Sequence, residues 1–68
     1  MARLVMTRHN AGRTVAGPVD LIVEQDADGT YRVYTILNLE DGREIKREAH
    51  STNDQWEAES FVSVYSIS

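Results

Sequence analysis

The chain reads as an α+β domain: an antiparallel β-meander of three to four strands with one short C-terminal helix packed on it. Three observations point there. Asp28-Gly29 and Asp41-Gly42 each lie between β-compatible runs, which is a strong hairpin signal. The runs "VDLIVEQ" and "TYRVYTILNL" alternate in polarity or are dense in β-branched and aromatic residues. The segment after Ser51 combines helix-start chemistry with an apolar stripe at helical spacing. A small all-β barrel is the alternative if that last segment is strand.

Taken in order, "ARLVMTR" (2–8) is a short strand with Leu4 and Met6 on one face. "HNAGRTVAGP" (9–18) contains Asn10, Gly12, Gly17 and Pro18 and reads as a loop. Residues 19–25 form a strand with Val19, Leu21 and Val23 on one side. Residues 30–39 form the next strand. If Asp28-Gly29 is a two-residue type I′ turn, Val23 faces Tyr34 and Leu21 faces Ile36, giving one apolar face. Asp41-Gly42 repeats the arrangement, so that Leu39 faces Glu44 and Asn38 faces Ile45. The third meander strand, 43–49, carries Glu44, Lys46, Arg47 and Glu48, which suit a sheet edge.

Thr52 with Gln55 fits a capping box, and Asp54 and Glu57 suit the positive first turn of a helix. Ala58, Phe61, Val62 and Tyr65 then share a helical face. The Ser- and β-branched-rich end "FVSVYSIS" is poor helix material. The spacing therefore predicts a helix over about 53–62 running into a last strand. Trp56 and Phe61 are expected to close the core, each costing about 3–5 kcal/mol on truncation if fully buried.

With 68 residues the chain makes one small domain. A domain of this size buries only roughly 60% of the surface its unfolded chain exposes. Cys is absent, so disulfides and thiolate metal sites are excluded. No apolar run is long enough to span a bilayer, and Arg8 and His9 interrupt the N-terminal apolar patch too early for a signal peptide. A cytoplasmic protein is expected. The net charge is −4 and uneven: residues 1–17 carry +3, 18–30 carry −4, 31–50 balance and 51–68 carry −3. An acidic surface repels phosphate backbones, so direct nucleic-acid binding is disfavoured.

Glu24, Asp26, Asp28 and Gly29 match the opening of a calcium loop, but Thr35 stands where its bidentate Glu belongs, and the flanks read as strands. An acidic turn is the better reading. His9 and His50 are the bases on offer, and nothing in the spacing builds a triad or a zinc site around them. The four glycines, at 12, 17, 29 and 42, form no phosphate-binding loop. The carboxylate pairs Glu40-Asp41 and Glu57 with Glu59 lack an evident cleft. Tyr31, Arg32 and Tyr34 resemble a base-stacking platform, but the register assigns Tyr34 to the core face and Tyr31 to the other. No catalytic residue, metal or cofactor is expected.

What remains is binding. Asp20, Glu24, Asp26, Asp28, Glu40, Asp41, Asp54, Glu57 and Glu59, if placed on one side, form a negative ridge suited to a basic protein partner. Solubility is the plainer use of the same charge.

In length, in Cys-free acidic composition and in its "DADG" and "LEDG" hairpins without catalytic motifs, the chain resembles anti-CRISPR proteins of phages and mobile elements. The resemblance implies an inhibitor that occupies the DNA-binding surface of a CRISPR effector, some members of the group being DNA mimics. It carries over no individual residue. The basic segment 1–17 departs from a uniformly acidic mimic. The alternative is a small β-rich interaction or assembly module, homodimeric through the edge strand 43–49.

Overall fold

Two hairpin tips set the register of the sheet. At the first, Gly29 N–H donates to Asp26 C=O at 3.0 Å and Asp26 N–H to Thr30 C=O at 2.9 Å. Gly29 has φ +90°, whereas Ala27 and Asp28 do not have positive φ. This is a three-residue loop, a type I turn closed by a left-handed glycine, not the expected two-residue type I′ turn. The second tip is built alike: Gly42 (φ +91°) donates to Leu39 C=O at 3.0 Å, and Leu39 N–H donates to Arg43 C=O at 2.8 Å.

The extra loop residue shifts both registers by one. Val23 stands opposite Val33 rather than Tyr34, and Leu21 opposite Thr35 rather than Ile36. Leu37 stands opposite Ile45, and Asn38 opposite Glu44. A one-residue slip sends a strand's side chains to the other face. Val33, Leu37 and Tyr31 therefore join Leu21 and Val23, while Tyr34 and Ile36 leave the core.

The computed structural model describes residues 2–65. They form β1 (Arg3–Thr14), β2 (Gly17–Gln25), β3 (Tyr31–Asn38), β4 (Glu44–Thr52) and α1 (Gln55–Val64). The strands make one antiparallel sheet in the order β1-β2-β3-β4. It is the expected α+β meander, open rather than closed into a barrel.

The expected loop at 9–18 is mostly strand. β1 continues to Thr14 by absorbing irregularities between Leu4 and Met6 and between Arg8 and Gly12. Asn10 takes φ +56° inside the second, and its N–H is held by the Asp20 carboxylate at 2.9 Å. Residues that read as loop punctuation thus form a bulge. The actual turn is Val15-Ala16, where Thr14 Oγ1 accepts from Ala16 N–H and donates to Gly17 C=O.

The inner face of the sheet holds the core. Ala11, Leu21, Val23 and Val33 pack under Ala58 and Val62 of α1, with Val5, Met6, Tyr31, Phe61 and Tyr65 around them. The expected helical face is the one that packs. The helix cap differs in detail: Asp54 is the N-cap, its carboxylate accepting from Trp56 N–H at 2.9 Å. Thr52 accepts from Asp54 N–H one step earlier, so it shapes the entry and does not cap. Trp56 does not close the core; it is 76% exposed. Phe61 is half-buried and stacks on His50, with ring centroids 4.9 Å apart. The helix runs through Ser63 and Val64, where a last strand was expected to start. The rest of that expected strand, 66–68, lies outside the described residues.

Candidate functional site: an acidic end of the sheet

Successive tips of a meander point to opposite ends of the sheet, and this divides the nine expected acidic residues. The 26–30 tip shares an end with the start of α1, because Tyr31 pairs with Thr52 and Thr30 Oγ1 donates to Asn53 Oδ1 at 3.4 Å. Asp26, Asp28, Asp54 and Glu57 meet there, and Glu24 lies one row inside. Glu59 follows in the second turn of the helix. Glu40 and Asp41 sit at the opposite tip, and Asp20 lies in that half of β2, opposite Ile36. The nine acids do not make one ridge.

The division concentrates charge. The half of the molecule from the Ile22–Tyr34 row outward carries Glu24, Asp26, Asp28, Glu48, Asp54, Glu57 and Glu59 against Arg3 and Arg32. Seven carboxylates against two guanidiniums leave −5. The other half carries five bases against four acids, a net +1, and the two halves return the total of −4.

Several acids at this end are fixed by local structure. Asp28 accepts Thr30 N–H at 2.9 Å, and this bond holds its carboxyl below the ordinary value of 3.8. Asp26 pairs with Arg32, which also meets Glu48 at 2.8 Å. These two carboxylates hold the Arg32 guanidinium still more firmly protonated. Glu57 bonds to Thr52 and lies 3.5 Å from His50 Nε2. Glu24 lies 3.5 Å from Lys46, whose ammonium also sits 4.3 Å over the Tyr34 ring. Such pairs at an exposed surface add little stability, but they hold the carboxylates in place.

Asp20 has a structural position. It accepts Asn10 N–H at 2.9 Å and Asn38 Nδ2 at 3.2 Å, and lies 3.5 Å from His9. Asp41 closes the far tip by accepting Arg43 N–H at 3.0 Å and Arg43 Nε at 2.6 Å. Glu40 is exposed beside it.

The remaining candidates scatter. His50 turns inward against Phe61, and strand alternation sends Ser51 to the opposite face. His9 lies on β1, at the other edge of the sheet from His50. The stacking-platform residues exchange the faces expected of them: Tyr31 packs at the core and bonds to Gln55, while Tyr34 lies outward under Lys46. Among the described residues no three acids or imidazoles converge to hold a metal ion, and no helix is long and apolar enough to cross a membrane. Glu48 and Arg32 belong to the acidic end, although the sequence suggested for them only a sheet edge and a stacking platform. Their opposite charges, across β3 and β4, become a signal only once the register is known.

No protein-family model, curated protein or solved structure matches the chain.

Proposed function

We propose that the protein is a small non-catalytic binding protein that docks its acidic end on a basic surface of a larger complex. The surface is of the kind that otherwise holds nucleic-acid phosphates. The observation that supports this reading is the charge separation: −5 on the half bearing the 26–30 tip and the start of α1, against +1 on the other. A field of one sign at one end orients an approaching partner and speeds encounter, which evenly spread charge does not. Asp26, Asp28, Asp54 and Glu57 are the contact residues of the proposal, with Glu24 and Glu59 adding to the field. Asp20, Glu40 and Asp41 fall outside it. The narrower form, inhibition of a CRISPR effector in a host cytoplasm, rests on the resemblance in size, composition and hairpins.

The test is a pull-down from the native host with mass spectrometry of what is retained. The wild type is compared with a triple reversal, Asp26→Lys, Asp28→Lys and Glu57→Lys, and with Glu40→Lys plus Glu44→Lys at the far end. Thermal melts confirm that each variant folds. The wild type and the far-end variant retain a common basic partner, and the triple reversal loses it. Retention by a folded triple reversal at the wild-type level defeats the proposal.

A further inference from the structure

The helix is shorter than the sheet it covers. Ten residues of α1 span about 15 Å at 1.5 Å per residue, whereas the nine residues of β2 span about 30 Å. Arg8 fastens the end of the helix over the middle of the sheet, donating to Val62 C=O at 2.6 Å and to Tyr65 C=O at 3.2 Å. Beyond that point the inner face continues through Val19, Leu37 and Ile45 to the far tip. There it forms a groove of about 300 Å³, with Tyr65 at one side and Thr35 and Arg47 at another. Ile45 is 42% exposed in it.

Arg47 makes this groove more than an apolar strip that the described residues leave uncovered. It stands opposite Thr35 on the inner face. The cations beside it on β4 and its turn have carboxylate partners: Lys46 has Glu24 and Arg43 has Asp41. Among the described residues Arg47 has none. An apolar cleft with a charged side chain at its wall is a usual form of a small-ligand site. A volume of about 300 Å³ takes about ten heavy atoms at roughly 30 Å³ each, the share of a water in the liquid.

We propose that this groove binds a small apolar monocarboxylate, its chain on Val19, Leu37 and Ile45 and its carboxylate on the Arg47 guanidinium. The planar fork of arginine matches a carboxylate in two parallel bonds. The net +1 of this half of the molecule admits an anion that the −5 half would repel. The site is separate from the acidic end and does not depend on it.

The test is an amide-resolved NMR titration of the full chain with sodium octanoate, in parallel with 1-octanol, which has the same chain without the charge. Saturable shifts are expected at Leu37, Ile45 and Arg47, with octanoate binding about tenfold more tightly than octanol, the factor that one charge-assisted bond supplies. Arg47→Gln, at an exposed position, is expected to bring the two ligands within about twofold of each other. The octanol comparison needs no variant. Three results overturn the proposal: no saturable shift at these residues, equal binding of octanoate and octanol, or contacts from Ile67 to Leu37 and Ile45 in the ligand-free protein, which would make the chain's own end the occupant.

Discussion

Asp20 carries more of the fold than an exposed carboxylate usually does. The Asn10 N–H is the main cause that holds its carboxyl below the ordinary value of 3.8, with Asn38 and His9 adding to it. A carboxylate with a lowered folded pKa stabilises above its unfolded value and loses that contribution as pH falls through the folded one. Asp20→Ala should therefore cost about 1 kcal/mol at neutral pH. The difference from wild type should shrink below pH 3.8, as urea unfolding at several pH values would measure. Leu21 and Trp56 make a second pair. Leu21 is fully buried and Trp56 is 76% exposed. Leu21→Ala should cost about 2–5 kcal/mol, and Trp56→Ala should stay within about 0.5 kcal/mol of wild type, read from the same unfolding curves. The size of Trp56 suggested a core residue, but its helical phase did not. It lies two positions before Ala58, and residues two apart do not share a helix face. Ala58, Phe61, Val62 and Tyr65 were legible because their spacing, not their bulk, identified them.

At the scale of elements, the strands, both tips and the helix were readable, and the register was not. Asp-Gly closes a two-residue turn or ends a three-residue one, and the dipeptide alone does not choose. The hydrophobic pattern gave no correction because β3 is apolar on both faces: Tyr31, Val33 and Leu37 on one, Tyr34 and Ile36 on the other. Either register buries an apolar set. β1 was cut short for a different reason. Asn10 and Gly12 were read as breaking the strand, and Asp20, ten residues away, stabilises them as a bulge within it. The glycines differ in what they do. Gly29 needs only its positive φ, with open space where a Cβ would stand. A Cβ at Gly17 would fall 2.0 Å from Asn38 C=O, between β2 and the end of β3, and Gly17 has φ +146° as well. Gly29→Ala should cost about 1–2 kcal/mol from backbone strain alone. Gly17→Ala should cost clearly more, since backbone must move to admit it; chemical denaturation of the two variants side by side would rank them.

At the scale of the whole molecule, the meander decides what the acids can do together. Alternate tips lie at opposite ends, so the 26–30 and 39–43 turns cannot contribute to one surface. The sequence showed the acids, but which of them share an end depends on topology. The helix start adds Asp54 and Glu57 to the first tip because β4 returns the chain to that end. Among the described residues the same geometry leaves the far half of the inner face uncovered, since a ten-residue helix starting at the acidic end reaches only the middle. One short helix thus completes the acidic end and stops short of the groove at the other.

The most direct measurement is the affinity of the retained partner for wild type and for the Asp26→Lys, Asp28→Lys, Glu57→Lys variant in about 0.1 M and about 1 M salt. The screening length falls from roughly 10 Å to roughly 3 Å between them. Docking through the acidic end predicts that wild-type affinity drops by more than about tenfold across this range, and that the variant binds weakly at both concentrations. Equal affinity of the two proteins, with no dependence on salt, would contradict it.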